Sequence, residues 1–393
     1  MLDAETITDP DALGPVHAEW DELAVACALP LMAPAWVMAW WHHQAPEGSQ
    51  LRIVAAHDGE RLTGLAPFYV VPRQRGKPVT YRLLAADFST SVSPVARPER
   101  TWEAAEAIGG ALADATPRPD MLDLAPMPLA SLWQMALRER WPGPMRPLSY
   151  RYDLQSSPVV SLHDESFDAW FAARSGKFRT SMRRLERLFE AAGGTVRLST
   201  PDTLAADVEL FARLHAMRWE NRGASRLTAL GQRLTGTLLD VGHVLLASEQ
   251  AQAAQSASRF RLRIMEVDGE AICADLSIAA GGEIVGFNMG WNERFKCMGP
   301  ALLALLYKIK DGFLHGDRRL QLGWGGQAYK LRFANEDAPV IWGMLLPPGR
   351  RLPIALASTT PLVSSAWIRE KGKRVLTPGQ IERLRPLARR LPR

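Results

Sequence analysis

Glu283-Ile284-Val285-Gly286-Phe287-Asn288-Met289-Gly290, Lys296-Cys297-Met298-Gly299-Pro300-Ala301 and Gly323-Trp324-Gly325-Gly326-Gln327-Ala328-Tyr329-Lys330 decide the fold of this chain. The first block reads as a strand. The second opens an apolar helical stretch, 300–313, and the third follows a short strand at 319–322. A glycine just before a helix lets backbone N–H groups come close to an anion. The helix start adds unpaired N–H donors and partial positive charge. Pro300 suits the first helical position, where no N–H partner is lost. The order strand, loop, helix, strand predicts a phosphate-holding loop made by Lys296, Met298, Gly299, Pro300 and Ala301.

Working outward, residues 260–290 predict a three-stranded meander: Phe260–Val267, Ala271–Ala280 and Glu283–Gly290. Its turns are Asp268-Gly269 and Gly281-Gly282. On the middle strand Ile272, Ala274, Leu276 and Ile278 share one face; Cys273, Asp275 and Ser277 share the other. Upstream, Ser175 caps a helix over 176–192 that Gly193-Gly194 stops. Thr200-Pro201 opens a second helix to Asn221, and a third spans 228–241. Downstream come helix 326–333 and strand 338–346. The first half shows a hairpin over 51–72 with its turn at Asp58-Gly59, helices at 101–115 and 131–140, and a strand at 121–124. It lacks a glycine-rich phosphate loop. These shifts predict a first domain over 1–157, a second over 158–348 and a basic tail over 349–393.

At 393 residues, 47% hydrophobic and 23% charged, the chain builds large cores without staples. Cys27, Cys273 and Cys297 form no metal spacing and no disulfide framework, which predicts a reducing, cytoplasmic setting and no metal. The acidic start has no basic segment followed by an apolar run, so no cleaved leader is expected. No run of about 20 apolar residues occurs, so no membrane span is expected. A net charge of +5 is too weak to imply nucleic acid. The low-complexity run 249–258 predicts a loop or a frayed helix end. In the tail, 369–393, nine Arg and Lys outnumber Glu370 and Glu382, with Ile381, Leu384, Leu387 and Leu391 at helical spacing. Such a segment either packs on its own domain or lies on the inner face of an anionic membrane.

Two further groups stand out. Arg179, Arg183 and Arg187 repeat every four residues on one helix, where like charges cost roughly 0.2–0.5 kcal/mol per pair. Glu186 and Glu190 are placed to offset them. The stack reads either as a solvated face or as a site for a phosphate-bearing acceptor. Leu204, Val208, Phe211, His215 and Trp219 step by three and four, so His215 continues a buried stripe. It reads as a packing histidine or as a proton carrier near neutral pH.

The hexapeptide fits R/Q-x-x-G-x-G/A, with Lys296 in the basic position. This is the loop that holds the coenzyme A pyrophosphate in GNAT acyltransferases. Ser175-Gly176-Lys177-Phe178-Arg179, Arg183 to Arg187, Leu214 to Trp219, Gly299 to Leu303 and Tyr329 to Phe333 resemble the GNAT family named for cellulose biosynthesis, the CelD-type acetyltransferases. That family is related in fold to Fem-type aminoacyltransferases. Pro34-Ala35-Trp36 through Trp41 and Asp58 to Pro67 extend the resemblance, which covers roughly 30–345. It implies an α/β fold with mixed sheets: two tandem GNAT-like domains, the second complete.

It also implies acyl transfer from acetyl-CoA or another acyl-CoA to an amine or hydroxyl, on a small-molecule or glycan acceptor used in polysaccharide assembly. Tyr329 falls where such enzymes carry the acid that protonates the leaving thiolate. Asp275 and His215 are the candidate bases. Arg218, Trp219 and Lys330 join the arginine stack as candidate acceptor contacts. Gln321 and Asn292 stand where the family usually has Asp. The rival readings are a Fem-like transferase fed by aminoacyl-tRNA, and a non-catalytic scaffold on a membrane synthase.

Overall fold

The computed structural model describes residues 2–71, 74–220, 225–247 and 259–359. The run 249–258 and the tail segment 369–393 lie outside the described residues.

The first half runs β1 (Asp3–Ile7), α1 (Gly14–Ala26), α2 (Pro34–Gln44), β2 (Gln50–Asp58), β3 (Arg61–Val70), β4 (Thr80–Leu83) and β5 (Val95–Ala96). Then come α3 (Thr101–Asp114), β6 (Met121–Asp123), β7 (Met127–Pro128), α4 (Trp133–Glu139) and β8 (Leu148–Gln155). The second half runs β9 (Pro158–Ser161), α5 (Phe167–Ala172), α6 (Gly176–Ala191), β10 (Gly194–Leu198), α7 (Leu204–Trp219), α8 (Arg226–Leu230) and α9 (Gln232–Ala247). It continues through β11 (Phe260–Val267), β12 (Glu270–Ala280), β13 (Glu283–Trp291), α10 (Pro300–Leu314), β14 (Arg319–Gln321), α11 (Ala328–Leu331), β15 (Glu336–Asp337) and β16 (Val340–Leu346).

The two halves repeat one plan. A first strand, helices, an antiparallel meander, a helix and a parallel strand occur in each, forming two mixed sheets. In the first, β4 pairs with β6 in parallel across α3. In the second, β13 pairs with β14 in parallel across α10. One strand then crosses into the other sheet. β16, expected to finish the second domain, lies between β6 and β7 in the first sheet, while β9 lies between β14 and β15 in the second. The partners of β16 all precede residue 158, so β16 pairs across the expected 157/158 boundary, with β8 along its whole length.

Local sequence explains most elements. Ser175 Oγ accepts from Phe178 N–H at 3.2 Å to start α6, and Phe178, Met182, Leu185 and Phe189 form its buried face. The Asp268-Gly269 turn has positive φ at both residues, which suits the twist of the hairpin it closes. Three expectations change. The helix opened by Thr200-Pro201 starts at Leu204, because Thr200 N–H is taken by Thr203 Oγ1 at 3.0 Å. The helix expected over 228–241 breaks at Gly231, with φ +52, into α8 and α9. Ile272 leaves the face of Ala274, Leu276 and Ile278 and packs with Cys273 instead. The register slips between Met265 and Glu266, which leaves Ile272 as the extra residue of a bulge.

The halves lock together through one large core. Trp36 meets Phe287 edge-on at 5.1 Å, and Phe88 meets Phe287 at 4.9 Å. The β12–β13 turn sits against the end of α1, where a Cβ on Gly281 would lie 2.1 Å from Val25 O. Arg259 reaches Asp21 at 2.6 Å.

Candidate active site

β13 and β14 pair only over Glu283–Val285 and Arg319–Gln321. Beyond them β13 continues to Trp291, while the other chain turns away at Gly323, with φ +72. The parted strands leave a cleft between Gly286–Trp291 and the loop before α11. β13 also carries a bulge here: Leu276 faces Asn288 and Ser277 faces Gly286, so Phe287 has no opposite residue.

At the end of β13, Asn292 starts a short 3-10 turn over Glu293–Met298. Its Oδ1 accepts from Arg294 N–H at 3.0 Å, and its Nδ2 donates to Glu270 at 3.0 Å. Asn292 therefore acts as a cap. Gly299 takes the left-handed conformation, φ +61 and ψ +48, and hands the chain to α10. A Cβ there would lie 2.9 Å from Leu185 Cδ1, so glycine serves packing as well as backbone shape. No side chain caps α10, and Lys296 and Cys297 beside it are exposed. The predicted loop residues Lys296, Met298, Gly299, Pro300 and Ala301 thus come together at a helix start.

Tyr329 lies in the first turn of α11, half-buried, and no protein group bonds its hydroxyl among the described residues. Burial pushes its phenol up, with Asp275 adding to the rise and Arg218 opposing it. Lys330, its neighbour, points inward. Its Nζ donates to Gly323 O at 2.9 Å and Trp324 O at 3.2 Å, bracing the turn that opens the cleft. Burial, with help from Lys308, lowers its amine to about 8.

Asp275 does not open to the cleft. It is 1% exposed and sits between Lys308 Nζ at 2.9 Å and Arg263 Nη1 at 3.6 Å, and Arg263 also bonds Asp311. Gly286 makes room for this: a Cβ there would lie 3.3 Å from Lys308 Nζ. Gln321 ends β14 beside the cleft, and burial raises the Glu283 carboxyl, with Arg319 and Gln321 opposing the rise.

His215 is buried between Phe211 and Trp219, ring centroids 6.1 and 6.2 Å away. Its Nε2 accepts from Ser225 Oγ at 2.8 Å, and its Nδ1 faces Met289 O at 3.5 Å. That network assigns the proton to Nδ1. Burial lowers its pKa to about 4, with Arg218 adding to the fall and the Met289 carbonyl opposing it. α7 presses on β13 at this point, where a Cβ on Gly290 would lie 2.2 Å from His215 N. Arg218 donates to Met289 O at 2.9 Å and lies 4.0 Å over the Trp291 ring, with Trp219 half-buried beside it.

The arginine stack rises from the start of α6, where Phe178 meets Phe333 at 5.0 Å and Arg332 lies 5.8 Å over the Phe178 ring. Arg179 bonds Ala172 O at 3.1 Å, Arg183 lies 5.6 Å over Phe171, and Arg187 is exposed. None of the three has an acidic partner among the described residues. Glu186, expected to offset them, instead pairs with Lys310 of α10 at 2.5 Å.

Sequence reasoning missed Lys308 and the first-half loop that touches the cleft. Lys308 sits among Ala304, Leu305, Ile309 and Gly312, all buried, so a lone lysine on an apolar stripe was its signal. Thr90 lies beside Gly323, its Cγ2 3.3 Å from where a Cβ would stand, and Asp87 pairs with Arg226 of α8. Among the described residues no group of three or more His, Cys, Asp or Glu could hold a metal, and no helix is long and apolar enough to cross a membrane.

Residues 176–331 match the family model described as an acetyltransferase (GNAT) domain. No curated protein matches the sequence. Solved structures share the fold at low identity. FemX superimposes with a TM-score of 0.57 at 10% identity, covering 88% of this chain and 98% of that one. A conserved protein of unknown function from Bacteroides thetaiotaomicron VPI-5482 gives 0.54 at 12%, covering 88% and 100%. L-PGS from Bacillus licheniformis gives 0.51 at 14%, covering 91% and 97%. At such identity the likeness is one of fold: a GNAT-like α/β architecture with two mixed sheets.

Proposed function

We propose that the second half moves an acyl group, acetyl in the simplest case, from acyl-CoA to an amine or hydroxyl. The observation that carries this reading is the parted pair β13 and β14. One end of the cleft is an uncapped helix start behind a left-handed glycine; the other holds Tyr329 with a half-buried, unbonded hydroxyl. Lys296, Met298, Gly299, Pro300 and Ala301 would hold the pyrophosphate through the helix start and one lysine. The acceptor's lone pair adds to the thioester carbonyl, the C–S bond breaks, the thiolate takes the Tyr329 proton, and the acceptor's own N–H or O–H proton passes through water to the phenolate left behind. A phenol raised by burial keeps that proton at neutral pH until a strong base forms beside it.

In this reading His215 and Asp275 position the strands instead of exchanging protons. Both His215 nitrogens face partners, and the Asp275 carboxylate faces two cations. Arg218 and Trp219 line the acceptor side, and Lys330 holds its loop. The acceptor is a sugar amine or hydroxyl, for which Trp324, 41% exposed and edge-on to Trp342 at 5.5 Å, offers an aromatic face. The tail 369–393 contributes peripheral contact with an anionic membrane, tested by salt-sensitive sedimentation with vesicles before and after removing it.

Calorimetry with acetyl-CoA tests the first step. Lys296→Ala and Gly299→Val should weaken binding, the latter read beside a melting curve because of Leu185. Tyr329→Phe should lower kcat roughly 10–1,000-fold with little change in KM for acyl-CoA. Full turnover by that variant overturns the acid role. One observation favours a second reading, transfer from aminoacyl-tRNA: the α6 arginines lack acidic partners. Salt-dependent tRNA binding without acetyl-CoA binding would select it.

A further inference from the structure

The loop that leads into α10 has a counterpart in the first half, built with different residues. There β5 passes through Arg97-Pro98-Glu99-Arg100 into α3, as β13 passes through 292–299 into α10. In both halves the helix leads on to a strand in parallel pairing, β6 on β4 and β14 on β13. The first-half loop has no glycine. Three arginines occupy the region instead.

A cavity of about 360 Å³ opens at that position, lined by Arg61, Arg97 and Arg100 over Leu23 and Leu62. Asp58 and Glu99 also line it. Arg100 is held by Asp58 at 3.1 Å and Glu103 at 2.9 Å, and its Nε is buried without a hydrogen-bond partner. Arg61 and Arg97 are exposed and make no ion pair among the described residues. No side chain caps α3, which runs 14 residues from Thr101. Guanidinium groups bind phosphate through paired N–H donors. Asp58, one of the two carboxylates at the cavity, is engaged by Arg100, and neither Arg61 nor Arg97 has an ion-pair partner among the described residues, so both keep donors for an anion.

We propose that this cavity binds a phosphate-bearing small molecule, at a second site separate from the cleft of Tyr329. Its volume lies at the small end of ligand pockets, roughly 300–1,000 Å³. The phosphate takes Arg61 and Arg97, and the rest of the molecule lies against Leu23 and Leu62.

The probe is inorganic pyrophosphate, titrated by calorimetry into the full chain and into Arg61→Ala/Arg97→Ala. Coenzyme A is titrated separately into both. The double variant should take up one pyrophosphate fewer per chain, or bind it at least tenfold more weakly, with coenzyme A affinity within twofold of wild type. This difference stands whether or not the Lys296–Ala301 loop also binds, because that loop is intact in both proteins. Arg61→Gln/Arg97→Gln reads the same difference if the alanine pair melts early. Superimposable pyrophosphate isotherms for wild type and either folded variant overturn the proposal.

Discussion

The two halves share a strand and helix order yet differ in what lies between helix and sheet. In the first, α3 brings Ala104, Ala105, Ile108 and Leu112 onto strands whose facing positions are apolar. In the second, α10 brings Lys308 and Asp311, and the strands beneath bring Arg261, Arg263 and Asp275. Buried ion pairs seldom outdo well-packed apolar groups, because desolvation offsets their attraction. The first half reaches the same topology without them. The ions of the second half therefore go with its cleft: they fix α10, and with it Gly299, against the strands that bear Tyr329's neighbours.

The largest expected effect breaks this contrast directly. Asp275→Ala leaves Lys308 and Arg263 buried without their shared carboxylate and should cost about 3–5 kcal/mol. Replacing both partners, Asp275→Leu with Lys308→Met, makes the second half resemble the first and should recover most of that loss. Urea unfolding of the three proteins checks it. A double variant no more stable than Asp275→Ala would mean that the second half has no apolar solution at this interface.

A smaller effect sharpens the comparison at the glycines. Each half lets a helix lie close to its sheet at one strand glycine. At Gly64 of β3 a Cβ would lie 2.6 Å from the Ala104 side chain; at Gly290 of β13 it would lie 2.2 Å from the His215 backbone. The Ala104 Cβ is fixed to the α3 backbone, so both substitutions push on a helix, and the closer contact at Gly290 demands the larger displacement. Gly64→Ala should cost about 1–3 kcal/mol, and Gly290→Ala at or beyond the upper end of that range. Equal melting shifts in the two variants would show that α7 is as free to move as α3.

Much of this was legible in the sequence because local signals set it. Asp268-Gly269 and Gly281-Gly282 mark a meander, and Gly299-Pro300 marks a helix start behind a left-handed residue. α2 was not legible: Pro34 to Trp40 are buried all round, so no amphipathic period shows. The passage of β16 into the first sheet left no local trace, since pairing across the chain depends on what each sheet edge lacks. The parity of β12 placed Asp275 opposite Leu276, but its partners lie on β11 and α10, beyond the reach of a pattern on one strand. Ile272 shows the same limit, because one bulge turned it over. The arginine cavity gathers residues from a strand and a loop that no spacing rule joins.

The smallest expected effect concerns pH and separates the halves once more. Helices of the first half bury tryptophans, Trp20 and Trp40, whereas α7 buries His215. Its folded pKa of about 4 lies below the ordinary 6.5, chiefly through burial, with Arg218 adding to the fall. The unfolded chain therefore binds the proton more readily between those values. The stabilising contribution of the neutral ring is fully present above pH 6.5 and is lost as pH falls toward 4. The slope is at most about 1.4 kcal/mol per pH unit. His215→Gln can still donate to Met289 O and accept from Ser225, and it does not titrate. Wild type should lose more of its melting temperature between pH 7 and pH 5 than His215→Gln does, even if the variant starts lower. Parallel profiles would show that the ring reaches solvent in the folded chain, and that the wall α7 forms beside the cleft opens more readily than its packing implies.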